Sequence, residues 1–378
     1  MRIAILGAGM VGRTMAIDLC KKYDVTSFDV STTSLALLNA KESSIKTITT
    51  DLTNYSGYGK LLAGFDFVIT AVPGFMGYKT LEAVIKAKKN VADISFFPEN
   101  SLDLDALAKE NNVTAIVDCG VAPGMSNYVL GYHNEEMKIT SFECMVGGLP
   151  INRVKPFEYK APFSPIDVIE EYTRPARLME NGQIVTKPAL SEPELIDFPQ
   201  VGTLESFNTD GLRSILFTMG HIPNMKEKTL RYPGHIDLIK AMIKGGFFDT
   251  RKISFKGMEI SPLEFSSAIL MDQWRSKPDE LEFTLMNIKV SGLQNGNPIT
   301  FIYDLFDTSD TVTQTSSMSR TTGFTCNASL HLIMNNLFNE KGVFPPELVG
   351  RHENCFNFIM QYLKDRNVIY NVTKEVNH

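Results

Sequence analysis

The chain has 378 residues, 43% hydrophobic and 21% charged, the balance of a soluble globular protein of about two domains. A formal net charge of −6 argues against a nucleic acid or a membrane surface as partner, since either would want a basic face. No apolar run approaches the ~20 residues that span a bilayer, and the first apolar residues lead straight into a glycine motif, so the N-terminus is expected to be that of the mature protein.

In chain order, Arg2 to Leu6 reads as a short buried strand, followed by GAGMVG at residues 7–12 and a helix over Arg13 to Lys22 with Met15, Leu19 and Cys20 inward. A strand at Val25 to Asp29 comes next, then apolar runs at Ile45 to Thr49, Phe65 to Val72, Asn90 to Ser95 and Thr114 to Cys119. Helical stretches at Tyr78 to Lys88 and Leu102 to Glu110 separate them. Strands alternating with helices predict an α/β protein with a doubly wound parallel sheet. After Gly120 the turn VAPGMSN opens a helix to about His133. Alternating segments at Thr140 to Gly148, Leu281 to Val290 and Pro298 to Asp307 then predict a second α/β domain with a largely antiparallel sheet. Between them lie a Pro-rich stretch, Lys155 to Pro165, and a charged helix, Ile166 to Thr173. A Thr/Ser-rich stretch, Thr311 to Gly323, precedes helices at Phe324 to Phe338 and Cys355 to Asp365. The expected organisation is a dinucleotide domain (1–122), a substrate and oligomerisation domain (123–322) and C-terminal helices packing back on the first domain (323–378).

Cys20, Cys119, Cys144, Cys326 and Cys355 are odd in number, scattered and never spaced C-x-x-C. That fits a reducing cytoplasm and neither a disulfide framework nor a metal site.

Gly7, Gly9 and Gly12 follow a strand and open a helix, the context that gives G-x-G-x-x-G its meaning. Gly7 permits the tight turn, Gly9 lets backbone approach a pyrophosphate with Met10 and Val11 beside it, and Gly12 allows close helix–strand packing. Asp29 closes the second strand, where a carboxylate accepts from the adenosine ribose hydroxyls and repels a 2′-phosphate. No Arg follows in Val30-Ser31-Thr32, so NAD is expected over NADP. The remaining strand ends should line the same crevice: Asp51-Leu52, Ala71-Val72-Pro73, Asp93-Ile94-Ser95 and Cys119-Gly120. Asp93 reads equally as a helix cap.

The segments DCGVAPGMSN (118–127), FSPIDVIEEYTRPA (163–176), TDGLRS (209–214) and EKTLRYPGH (227–235) resemble the saccharopine dehydrogenase family, most of all its lysine 6-dehydrogenase branch. The resemblance spans essentially the whole chain. It implies a Rossmann domain joined to a substrate domain, NAD(P)-linked oxidation of an amine carbon on a lysine-like substrate, and a homodimer or homotetramer. Ala122 stands where the saccharopine-forming relatives carry an acidic residue before Pro-Gly, and the chain is shorter than theirs, which tilts the expectation toward lysine itself.

A free amino acid brings a carboxylate that wants a bidentate guanidinium. Arg213 and Arg231 are the candidates, each in a loop-like context, and Arg231 matches the family motif. Arg174, beside Pro175, reads as structural. Amine oxidation also needs a base, because an ammonium nitrogen has no lone pair to assist hydride departure. His235, four residues after Arg231 and alone among the six histidines in a family-like motif, competes with Lys160 and Asp93 for that role. Tyr159 is expected either to orient substrate or to be a core residue. Three readings remain open: oxidative deamination of the ε-amine of L-lysine to a semialdehyde that cyclises, dehydrogenation of a secondary amine such as saccharopine or carboxynorspermidine, and a non-catalytic NAD sensor.

Overall fold

The computed structural model describes residues 1–161, 165–277 and 280–376. Phe163 and Ser164 of the second family-like motif, part of the Pro-rich stretch, and His378 lie outside the described residues.

Seven strands form a wholly parallel sheet: β1 (Arg2–Leu6), β2 (Asp24–Asp29), β3 (Lys46–Thr49), β4 (Phe67–Thr70), β5 (Asn90–Asp93), β6 (Thr114–Ile116) and, from far along the chain, β17 (Gly342–Phe344). Their order, β17-β6-β5-β4-β1-β2-β3, reverses direction between β1 and β4, the switch point where such sheets bind ligands. In β1 the alternation of side chains feeds two cores. Ile3 and Ile5 join one apolar cluster, Ala4 and Leu6 the other, and all four are fully buried. That is why the strand is a continuous apolar run.

The second sheet has nine strands: β7 (Lys138–Pro150), β8 (Ala176–Glu180), β9 (Gln183–Lys187), β10 (Glu194–Phe198), β11 (Gly202–Asn208), β12 (Met225–Arg231), β15 (Glu282–Gln294), β16 (Asn297–Thr308) and β18 (Tyr370–Val376). All pairs are antiparallel except β12 with β7. A separate hairpin, β13 (Ile253–Phe255) and β14 (Met258–Ile260), stands apart.

The C-terminal segment departs from the expectation of helices alone. Through β17 it extends the first sheet beside β6, and through β18 it extends the second beside β16. Three apolar residues and a largely exposed polar strand give little periodicity to read. The Thr/Ser-rich stretch is half helix, since the buried helix Ser317–Met334 begins inside it, capped by the Ser316 hydroxyl. Its hydroxyls suit a buried helix because Thr321, Thr325 and Ser329 donate to the carbonyls four residues back, Ser317, Thr321 and Thr325, at 2.7–3.0 Å. It packs on the first-domain helix Met10–Leu19, with Asn327 Nδ2 donating to Asp18 Oδ2 at 3.0 Å.

Candidate active site

A cleft of about 1560 Å³ runs from the Gly7–Gly12 turn across the switch point to the face of β7 and β12. Single-ligand pockets hold ~300–1,000 Å³, so a dinucleotide and a second molecule fit together.

At the nucleotide end, Gly7 has φ +110°, and a Cβ there would lie 2.3 Å from the Ala71 carbonyl oxygen. A Cβ at Gly12 would lie 2.1 Å from the Gly7 oxygen, whereas one at Gly9 would meet nothing within 4 Å and would project into open space. Gly9 is the N-cap of the ten-residue helix Met10–Leu19 and supplies no side-chain cap. Its first N–H groups therefore remain for an anion. These features fit a bound pyrophosphate. The Asp29 Oδ2 accepts from Ala8 N–H at 2.6 Å and its Oδ1 from Ser31 N–H at 2.7 Å, tying the glycine turn to the end of β2 on the cleft wall. The expected Met10, Val11, Asp51, Leu52, Ala71, Val72, Pro73 and Gly120 line the same cleft. Ser95 does not. It is buried beneath, its hydroxyl accepting from Val72 N–H at 3.3 Å, so it supports the wall rather than forming it. Arg13 also reaches this wall, its Nη1 donating to the Ala8 oxygen at 2.9 Å. It lies too far back in the chain from Asp29 to be noticed as part of a 2′-phosphate signal.

At the inner end most of the expected chemistry is relocated. The Lys160 ammonium donates to the Gln273 and Arg275 carbonyls at 3.1 and 3.3 Å and pairs with Glu280 at 3.3 Å, outside the cleft lining. It is held as a structural cation, not offered as a base. His235 is buried at the start of the helix His235–Lys244, away from the cleft. Its Nδ1–H donates to the Phe157 oxygen at 2.9 Å, so Nε2 accepts from the Tyr172 hydroxyl at 3.0 Å. Burial, with the Arg231 charge beside it, pulls its pKa down to about 3. Asp93 is fully buried under the sheet ends, accepting from Thr70 Oγ1 at 2.5 Å and Ser95 N–H at 3.1 Å, and burial pushes its carboxyl up to about 7. It braces the Ser95 backbone and does not line the cleft.

Arg213 is not a free clamp either. It is buried with φ +46°, its Nε donates to Asp118 Oδ2 at 3.0 Å and its Nη1 to the Phe97 oxygen at 2.6 Å. This pair pins the loop before helix Ile215–Thr218 to the end of β6. Tyr159 is buried under Arg231, whose guanidinium carbon sits 4.4 Å from the ring centroid. Of the substrate candidates, Arg231 alone lines the cleft. It sits at the end of a strand, not in a loop, and its fork is partly filled. Nε donates to Tyr172 Oη at 3.0 Å, and Nη2 pairs with Glu171 Oε2 at 2.9 Å.

Strand alternation reveals what the motif reading missed. Glu227, Thr229 and Arg231 recur at every second position of β12 and all line the cleft, while Leu230 packs into the apolar cluster around Trp274. The neighbouring acids are engaged: Asp118 with Arg213, Asp210 bidentately with Arg177 at 2.9 Å, Glu171 with Arg231, and Glu282 with Met318 N–H at 2.9 Å. Glu227 is 5% exposed, and while its backbone oxygen accepts from Thr209 N–H, its carboxyl has no hydrogen-bond or ion-pair partner among the described residues. Burial, with Glu171 and Asp210 nearby, pushes its carboxyl up to about 8.

Fold and cleft define a two-domain dinucleotide-binding protein. Residues 3–116 match the family described as saccharopine dehydrogenase NADP binding domain, and residues 120–369 the saccharopine dehydrogenase C-terminal domain. The chain belongs to the saccharopine dehydrogenase family. It is 27% identical over 262 residues to the NADP(+), L-glutamate-forming saccharopine dehydrogenase of Saccharomyces cerevisiae, covering 65% of this chain and 58% of that protein's length. It is 22% identical over 378 residues to carboxyaminopropylagmatine dehydrogenase of Synechocystis sp., covering 92% of each. The solved apo saccharopine dehydrogenase (L-Glu forming) from S. cerevisiae shares the fold, with a TM-score of 0.80 at 19% identity over 99% of this chain and all of that one. These matches agree with a pyridine nucleotide as cofactor. Among the described residues, no helix is long and apolar enough to cross a membrane.

Proposed function

We propose that the protein is a pyridine-nucleotide-dependent oxidoreductase that oxidises the carbon bearing the ε-amine of L-lysine, giving an imine that hydrolyses to the semialdehyde and ammonia. The observation that carries this reading is the inner end of the cleft, where the unpartnered Glu227 lies among Glu171, Asp210 and Asp118. Asp118, Asp210 and Glu171 are each paired with an arginine, Arg213, Arg177 and Arg231, so Glu227 is the one carboxylate of the four left over, which suits a cationic amine. The bound nicotinamide supplies the hydride acceptor. The chain's own residues orient the amine and hold the proton that nitrogen must lose. Arg231, already paired with Glu171, recognises the substrate carboxylate only by sharing its fork.

A second reading, oxidation of a secondary amine, is favoured by the end-to-end similarity to carboxyaminopropylagmatine dehydrogenase. Saccharopine carries further carboxylates than lysine and would need Arg213 or another basic residue beside Arg231. Arg213 is held by Asp118 outside the cleft, and Arg174, which lines the cleft, is paired with Glu170. That favours the smaller substrate.

Purified protein incubated with NAD and lysine should give NADH and ammonia in equal amounts. NADPH consumption with an aldehyde plus an amino acid, and no signal with lysine, would establish the secondary-amine reading instead. For the cofactor we propose NAD, on the strength of Asp29. Asp29→Ala should raise the relative use of NADP by roughly tenfold, the size of one lost charge-assisted contact. An unchanged NAD/NADP ratio would shift the determinant to Arg13.

A further inference from the structure

Glu227 combines three properties that seldom coincide at a merely structural position. It is almost fully buried, it borders the cleft, and no donor among the described residues satisfies it. Buried carboxyls are ordinarily hydrogen-bonded or paired, because leaving one bare is costly. The chain also reserves room for it. A Cβ at Gly211 would lie 1.7 Å from Glu227 Oε1 and 2.0 Å from Cδ, so the carboxyl rests directly against a glycine backbone. Gly211 belongs to TDGLRS and Glu227 to EKTLRYPGH, so two of the family-like segments meet at this one group.

Titratable neighbours face it from several elements. Glu171 comes from helix Pro165–Thr173, Asp210 from the loop after β11, Asp118 and Arg213 from the domain junction, and Cys144 from β7. Since Asp118 lies at the end of β6, on the switch-point side of the first sheet, Glu227 stands near the nicotinamide end of the cleft, not near the adenosine end.

We propose that Glu227 is the proton acceptor for the substrate ammonium, pairing with the cationic amine at the inner end of the cleft and taking its proton before the C–H bond breaks. This rests on the amine-oxidation reading. The bookkeeping closes: one ammonium N–H proton moves to a Glu227 oxygen, freeing the nitrogen lone pair. The adjacent C–H bond breaks with its electron pair going as hydride to the nicotinamide, which is thereby reduced, while the lone pair forms C=N. Water then adds at carbon and ammonia leaves. The raised affinity for a proton helps this transfer. Against an amine of pKa ~10.4, an ordinary glutamate near 4.3 holds the proton with odds of roughly one in 10⁶. A carboxyl at about 8 improves those odds to roughly one in 10².

The test compares the wild type with Glu227→Gln and Glu227→Asp under two readouts. In the first, kcat/KM for lysine is followed from pH 6 to 10. The wild type should rise through an ionisation near 8, Gln should lose that limb with kcat reduced about 10²–10⁴-fold, and Asp should recover part of the rate. Gln with wild-type kcat and an unchanged profile overturns the proposal. In the second, infrared difference spectra of wild type minus Gln, without substrate, isolate this carboxyl from Asp93 and Glu282. A C=O band that vanishes as pH rises through about 8 supports the proposal, and a carboxyl ionised throughout overturns it. Wild-type protein inert toward lysine but showing that band would sink the lysine reading alone. The same kinetic comparison is then made with a secondary amine, where an unaffected Gln variant counts against Glu227.

Discussion

Gly9 and Glu227 occupy opposite ends of one cleft, and they are specified in different ways. The nucleotide end is built from a contiguous turn whose requirements are local: a positive φ at Gly7, a close approach at Gly12, open space at Gly9, and helix N–H groups that follow at once. The inner end is assembled from β12, the loop before helix Ile215–Thr218, helix Pro165–Thr173 and the end of β6, regions that lie far apart in the chain. There a residue's role depends on which long-range partner reaches it first. A cleft can thus hold a rigid, sequence-local cofactor cradle facing a pocket whose reactivity is set by pairing.

The largest effect that would sharpen this contrast is expected at Arg231. Arg231→Ala strands Glu171 and removes the donor to Tyr172, which should destabilise the fold by ~3–5 kcal/mol, read by denaturant unfolding. A stable variant with only a raised KM for the amine would show a dedicated carboxylate clamp instead.

Glu227→Gln is expected to stabilise, and to do so in a pH-dependent way. The folded protein holds the Glu227 proton up to about pH 8, against 4.5 for an ordinary glutamate, so its contribution is full below 4.5 and is lost as pH rises through 8. The gap between Gln and wild type should open over that window to on the order of 2–4 kcal/mol. The depressed His235 acts in the opposite sense, as pH falls from 6.5 toward 3, and cancels in the comparison. Parallel stability curves would show that Glu227 finds a partner in solution.

Smaller effects separate the two glycines. Gly12→Ala drives a methyl into the Gly7 carbonyl and should destabilise by ~1–3 kcal/mol. Gly9→Ala should leave stability within about 0.5 kcal/mol while weakening dinucleotide binding, measured by calorimetry. Undiminished NAD binding by Gly9→Ala would break the cradle assignment.

The same contrast explains what the sequence made legible. The parallel sheet, the glycine turn, Asp29 and the strand-end residues at Ala71–Pro73 follow from periodicity and local turn chemistry. His235, Lys160, Asp93 and Arg213 have the residue types that chemistry needs, but Tyr172, Glu280, Thr70 and Asp118 occupy them, and no local pattern announces those partners. Glu227 was within reach. Reading EKTLR as a strand rather than a loop puts residues 227, 229 and 231 on one face.

Lysine deuterated at the ε-carbon tests the central claim most directly. The account predicts that one deuterium is transferred to NADH, with a primary isotope effect on the chemical step and ammonia released in equal amount. Protiated NADH, with both deuterons retained in the product, would contradict it.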